Sequence, residues 1–168
     1  MGLEDAATAA AIEALSEPRP SSAEAYRREL ATNANAVYFV ACVPHRQEDG
    51  PRVVGFAGLW RQHDEAHVTM IAVHPDWRGH HIGEQLFVRL LELALELGLR
   101  QVTLEVRALN TVAQELYAKY GFVRTGYRPA YYPGDRADAV IMSTPELGDP
   151  AWRARFEQLR AELRREVG

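Results

Sequence analysis

From His67 to Phe122 the chain reads as a strand, a glycine-containing turn, a long helix, a second strand and a short helix headed by an asparagine. No other stretch restricts the fold as tightly. The turn is Asp76-Trp77-Arg78-Gly79-His80-His81-Ile82-Gly83, and the helix opens directly from it. Such a helix start presents unpaired backbone N–H groups and the positive end of its dipole, which suits a phosphate. The strand that follows carries a carboxylate, Glu105, and the next helix a phenol, Tyr117. A pyrophosphate cradle beside an acid and a base is the makeup of an enzyme that uses a phosphorylated carrier.

Periodicity supplies the remaining elements. Leu86, Leu90, Leu93 and Leu97 recur at helical spacing, Phe87, Leu91 and Ala94 widen the apolar face, and Gly98 ends the helix. Val102, Leu104 and Val106 alternate with Thr103, Glu105 and Arg107, the period of a strand. Residues 123–132 and 138–144 predict a closing strand pair around Pro133-Gly134-Asp135. Upstream, residues 3–15 have helical character, and Ser21 with Glu24 fits a capping box for a helix reaching about Ala31. Residues 37–43 and 52–60 predict a hairpin across the polar segment 44–51, and a third strand spans 66–73. The order is mixed α/β. In the tail, Trp152, Phe156, Leu159 and Leu163 form an apolar stripe among mixed arginines and glutamates, an amphipathic helix expected to pack on its own domain. The predicted organisation is a domain over 1–147 and a helical extension over 148–168.

Composition removes several classes of function. A net charge of −4 argues against nucleic-acid binding by overall basicity and would suit capture of a basic peptide. One cysteine, Cys42, allows no intramolecular disulfide, and in its apolar strand it reads as a buried small residue. No apolar run approaches a membrane span, and acidic residues stand near the N-terminus where a signal peptide carries basic ones, so the expected location is cytoplasmic. The histidines lack the companion pattern of a zinc site, so no metal is expected.

The run Thr103-Leu104-Glu105-Val106-Arg107, with Asn110, Ala113, Leu116-Tyr117, Gly121-Phe122, Tyr131-Tyr132 and Asp138-Ala139, joins Ile71-Ala72-Val73 and the turn in one ordered pattern. In that pattern the chain resembles the GNAT N-acetyltransferases, and among them it is most similar to the ribosomal-protein alanine N-acetyltransferases, the RimI type. The resemblance implies a seven-stranded, mostly antiparallel sheet with splayed middle strands flanked by helices, and acetyl-CoA as co-substrate. It implies that amides of Arg78, Gly79, His80, His81, Ile82, Gly83 and Glu84 wrap the CoA pyrophosphate. The backbone of Ile71, Ala72 and Val73 would pair with the pantetheine arm like an added strand. The family has glycine where this chain has His81, a position that favours a residue without a Cβ.

By the same resemblance Glu105 is the general base, Tyr117 the acid, and Asn110 a contact of the carrier. The chemistry is consistent: an amine must lose a proton to attack a thioester, and an unperturbed α-amine has a pKa of roughly 8. A leaving thiolate near 8.5 accepts a proton from a phenol near 10, both approximate unperturbed values. Read without the family, Glu105 is a strand glutamate paired with Arg107, Tyr117 fills core beside Leu116, and Asn110 caps a helix. Arg128, Tyr131 and Tyr132 match the family's acceptor wall, and paired aromatics on a late strand are also ordinary packing. Ala137-Asp138-Ala139 departs from the family's frequent Glu-Asp-Ala. The implied acceptor is the N-terminal amine of a protein, an alanine of a small-subunit ribosomal protein. The alternatives are a lysine side chain or small-molecule amine, and a non-catalytic CoA-binding module that uses the tail.

Overall fold

The computed structural model describes residues 1–44 and 52–168, so most of the expected polar turn at 44–51 lies outside the described residues. After a 3-10 turn at Leu3–Asp5 come helices α1 (Ala6–Ala14) and α2 (Ala23–Thr32). Strands β1 (Ala36–Val43), β2 (Arg52–Gln62) and β3 (Glu65–Val73) follow, then a 3-10 turn at Pro75–Trp77 and α3 (Ile82–Glu96). The chain continues through β4 (Gln101–Arg107), α4 (Thr111–Lys119), β5 (Val123–Arg128), β6 (Ala139–Ser143) and α5 (Pro150–Val167). The strands form one sheet in the order β1-β2-β3-β4-β6-β5. β1–β2, β4–β6 and β5–β6 are antiparallel and β3–β4 is parallel, so the architecture is the expected mixed α/β type. The described residues supply six strands rather than seven, and helical turns precede the first of them.

The chain divides into two compact units. The first comprises Met1–Trp60 and Thr69–Leu90. Its core packs Ala6, Ala9 and Ile12 of α1 against Tyr26, Tyr38, Phe56 and Ala72. Alanine on the buried face of α1 keeps the helix close to its neighbours, and the aromatics fill the layer. The Tyr26 ring stands edge-on to Tyr38 and Phe56 at centroid distances of 5.8 and 5.5 Å. The buried carboxylate of Glu13 accepts from the Tyr26 hydroxyl at 2.7 Å and from Ser21 at 3.4 Å, so its burial is compensated. Gly58 lies opposite Tyr38 in the hairpin, and a Cβ there would sit 2.2 Å from the Tyr38 ring.

Two expectations change in this unit. The cap of α2 is Ser22, whose hydroxyl accepts from the Ala25 N–H at 3.0 Å, because Ser21 is drawn to Glu13. Cys42 is exposed rather than buried: it lies on edge strand β1, at a register irregularity between Ala41 and Cys42.

The second unit comprises Arg61–Val68 and Leu91–Gly168. Val102, Leu104 and Val106 of β4 are buried on one face, leaving Thr103, Glu105 and Arg107 on the other. The tail stripe packs here. Trp152 stacks on Phe156 at 5.3 Å and donates its indole N–H to the Tyr120 carbonyl at 3.0 Å. Arg160 and Arg164 reach Glu92 at 3.1 and 3.2 Å.

The closing pair is shorter than expected. β5 stops at Arg128 because Pro129 has no N–H to continue the ladder, and Ala130 turns at φ 51°. Tyr131 and Tyr132 therefore sit in a loop, not on a strand. Among the described residues no helix is long and apolar enough to cross a membrane.

Candidate active site

The turn belongs to the first unit. Pro75 starts the 3-10 turn, and the His74 imidazole accepts from the Asp76 N–H at 3.3 Å. Arg78 donates through Nε to the Val73 carbonyl at 3.3 Å, tying the turn to the end of β3. Gly79 lies at φ 77°, where a side chain is strained, and no atom lies within 4 Å of the place a Cβ would occupy. His80 sets its Nδ1 against the carbonyls of Trp77 and Arg78 at 3.3 and 3.0 Å.

His81 takes the left-handed conformation at φ 57°, the geometry that explains glycine in the related pattern. Its carbonyl accepts the first helical bond, from Gln85 at 2.9 Å, and its Nδ1 lies 3.3 Å from the largely buried Glu84 carboxylate. The first-turn N–H groups of Ile82 and Gly83 have no partner within a helix that starts there. A Cβ on Gly83 would meet only Val73, at 3.6 Å, an ordinary contact. The chain's own packing therefore does not demand glycine at 83. Ile71, Ala72 and Val73 form the end of β3, with Ala72 buried.

The second unit holds the acid–base candidates. The Glu105 side chain is 9% exposed, a depth at which a carboxylate requires partners. One oxygen is hydrogen-bonded with Nε2 of His67, and the other accepts from Arg128 Nε at 3.2 Å. Register explains the first contact, since His67 lies opposite Thr103 in the parallel pair and Glu105 follows two residues later on the same face. In the antiparallel ladders Arg128 lines up with Arg107 across Ala139, while Glu105 lines up with Gly126 across Ile141, so the Arg128 contact is diagonal, two residues along the same face. Arg107, the partner of Glu105 in the reading without the family, reaches Asp135 at 2.8 Å and stacks over the Tyr132 ring at 4.1 Å.

Asn110 caps α4, its side chain accepting from the Ala113 N–H at 3.1 Å. Tyr117 lies two turns into that helix, 6.1 Å from the Phe122 ring, and burial pushes its phenol up to about 12. The group is thus a neutral donor throughout the physiological range. Arg128 stands over Tyr131 at 5.7 Å, and Tyr131 and Tyr132 meet edge to face at 5.2 Å. Asp138 orders this loop, accepting from the Ala130 N–H at 2.7 Å and from the Tyr127 hydroxyl; the Tyr127 bond and then the Ala130 bond hold its carboxyl below the usual range.

The second unit thus gathers Glu105, Arg128 and Tyr131, places Tyr132 with Arg107, and holds Asn110 and Tyr117 on α4. His67 is the partner that sequence reasoning missed. Its signal was weak: a histidine of the right strand parity, useful only once the register with β4 is known. Among the described residues no three or more His, Cys, Asp or Glu side chains gather as a metal ion would need.

A parallel β3–β4 pair, a turn opening α3 and an acidic β4 followed by a tyrosine-bearing helix define a class, the acetyl-CoA-dependent N-acetyltransferases. Residues 5–122 match the acetyltransferase (GNAT) family, and the chain belongs to it. It is similar to a provisionally named ribosomal protein bS18-alanine N-acetyltransferase of Bacillus subtilis (strain 168). The identity is 39% over 142 residues, covering 84% of this chain and 90% of the relative. The N-alpha-acetyltransferase RimI of Mycobacterium tuberculosis (strain ATCC 25618 / H37Rv) is 37% identical over 139 residues, 80% of each chain. The crystal structure of the ribosomal-protein-S18-alanine N-acetyltransferase from Escherichia coli superposes with a TM-score of 0.73 at 28% identity, covering 86% of this chain and 90% of that one.

Proposed function

We propose that this enzyme transfers the acetyl group of acetyl-CoA to the N-terminal amine of a protein, with the terminal alanine of ribosomal protein bS18 as the acceptor. The observation that carries the chemistry is the Glu105 carboxylate, nearly buried yet held by His67 and Arg128 on one sheet face. The similar Bacillus subtilis protein, a bS18-alanine N-acetyltransferase by name, supports this acceptor, and the Mycobacterium tuberculosis N-alpha-acetyltransferase supports an N-terminal amine more generally. The proposal includes a cytoplasmic location, where acetyl-CoA and ribosomal proteins are both found.

In this mechanism the amine nitrogen attacks the thioester carbonyl carbon, a C–N bond forms and the C–S bond breaks. Glu105, oriented by its hydrogen bond with His67, takes the proton that the amine loses. Tyr117 donates its hydroxyl proton toward the departing sulfur. With the phenol near 12 and a thiol near about 8.5, complete transfer is uphill, so donation accompanies C–S cleavage rather than preceding it. The turn at Arg78, Gly79, His80, His81, Ile82, Gly83 and Glu84 would hold the pyrophosphate. The glycine at 83, unexplained by internal packing, supports a close approach from outside the chain. Ile71, Ala72 and Val73 would receive the pantetheine arm, Asn110 would contact the carrier, and Arg128, Tyr131 and Tyr132 would line the acceptor.

Incubation with acetyl-CoA and two peptides tests the acceptor. One bears a free N-terminal alanine; the other is blocked at its N-terminus and contains lysine. Acetylation mapped by mass spectrometry to the terminal nitrogen, and abolished by the block, is the expected result. Acetyl groups found mainly on lysine side chains would assign the enzyme to lysine acceptors instead.

A further inference from the structure

Gln114 is 4% exposed, a depth at which an uncharged amide needs every hydrogen bond it can make. Its Nε2 donates to the carbonyls of Arg107 and Ala108, at 3.1 and 3.0 Å, where β4 ends. Its Oε1 accepts from Arg124 Nη2 at 2.7 Å, from strand β5. One side chain on α4 is therefore bolted to the end of β4 and to β5. An apolar residue in its place would leave two strand-end carbonyls and a guanidinium without these partners.

The placement has a chemical consequence. Glu105 lies two residues before the first carbonyl that Gln114 grips, and Tyr117 lies three residues after Gln114 on the same helix, one turn along. The Asn110 cap fixes where α4 starts, and Arg155 of α5 holds its last carbonyl, at Lys119, at 3.1 Å. Between these two ends the Gln114 bracket ties the helix flank to the strand that carries Glu105.

We propose that Gln114 is a positioning residue that sets the Tyr117 hydroxyl relative to Glu105, and that it acts on turnover through Tyr117. This rests on the acid–base reading above. A misplacement of about 1 Å in a reacting group is enough to lower a rate by roughly a hundredfold, so a loosened bracket should show in kcat.

The test is a double-mutant cycle with acetyl-CoA and a peptide bearing a free N-terminal alanine. The variants are Gln114→Leu, Gln114→Glu, Tyr117→Phe and the combinations. Gln114→Glu keeps an oxygen for Arg124 and sets a second oxygen against the two carbonyls, so it breaks only the grip on β4. Both Gln114 variants should lower kcat by about tenfold or more, with the KM for acetyl-CoA changed less than about threefold. In the Tyr117→Phe background the same substitutions should change kcat by less than about twofold, because the group they position is gone.

An undiminished Gln114 effect in the Tyr117→Phe background would overturn this inference while leaving Tyr117 as the acid. Wild-type turnover in folded Gln114→Glu, or loss of folding in both Gln114 variants, would also overturn it. Wild-type turnover in Tyr117→Phe would overturn the acid assignment itself, and this inference with it.

Discussion

The imidazole of His67 and the carboxylate of Glu105 share a hydrogen bond between Nε2 and Oε2 across the parallel β3–β4 pair, two residues out of register. The diagonal reach leaves the other carboxylate oxygen to Arg128. A general base needs a fixed direction as well as a matched proton affinity, and this pair of contacts fixes the carboxylate plane. Glu105→Gln keeps the shape and removes the proton acceptor. It should lower kcat by about a hundredfold or more, most severely at low pH where free amine is scarce. A pH–rate profile of Glu105→Gln that overlays the wild type would remove Glu105 from the mechanism.

His67→Gln tests the partner. Glutamine can still donate to Oε2 but has no ring nitrogen through which a proton could pass. A fall in kcat of about tenfold with unchanged KM for acetyl-CoA is expected, and a Glu105→Gln, His67→Gln double variant no slower than Glu105→Gln alone. Multiplying effects would instead mean that His67 acts independently of Glu105.

Tyr117 makes a prediction about stability as well as rate. Its pKa is raised to about 12 by burial, so the folded state holds a proton that the unfolded chain releases above about 10. Stability is therefore fully present below about pH 10 and falls as pH rises toward 12, by about 1.4 kcal/mol per unit. Tyr117→Phe abolishes this loss and should shift alkaline unfolding, followed by circular dichroism, to higher pH. Tyr26, whose phenol burial and then Glu13 raise further, keeps its own share of the alkaline sensitivity. The same variant should bind CoA as the wild type does and turn over about a hundredfold more slowly.

What could be read in the sequence followed from local physics. The apolar period of α3, the alternation of β4 and the Asn110 cap each need only a few neighbouring residues to be visible. Readings that depended on topology were harder. Cys42 lies in an apolar run, but its exposure follows from β1 being an edge strand. Ser21 and Ser22 both fit a cap, and only the buried Glu13, eight residues before Ser21, decides between them. Glu105 pairs with Arg107 in the reading without the family; its contacts with His67 and Arg128 become visible only once the strand register is placed. Gln114 looks like any polar residue on a short helix until the end of β4 is placed beside it. Pro129 did carry the signal that ends β5, and Tyr131 and Tyr132 drew the strand too far.

The tail supplies a prediction about packing. Trp152 is 6% exposed, stacked on Phe156 and bonded to the Tyr120 carbonyl, and a Cβ on Gly121, which lies at φ 84°, would sit 3.0 Å from the indole. Trp152→Ala removes the stack and leaves a cavity, for a loss of about 3–5 kcal/mol in urea denaturation. Gly121→Ala meets both the left-handed backbone and the indole, for a loss of about 2 kcal/mol. A change below about 0.5 kcal/mol in Trp152→Ala would show that α5 is not integral to the second unit.

The turn before α3 separates backbone strain from ligand contact. At φ 57°, His81→Val forces a β-branched residue into the left-handed region, for a loss of about 1–2 kcal/mol. His81→Gly relieves strain but adds unfolded-state entropy of similar size, so its stability should stay within about 0.5 kcal/mol of wild type. Gly83→Asp behaves differently, because its Cβ meets only Val73 at 3.6 Å and the fold tolerates it. Its carboxylate would lie at the mouth of the helix start, where a pyrophosphate is expected, and like charges repel. The dissociation constant for CoA, measured by calorimetry, should rise more than about tenfold in Gly83→Asp while the thermal midpoint stays near wild type. Unchanged CoA affinity in that folded variant would move the pyrophosphate site away from this turn.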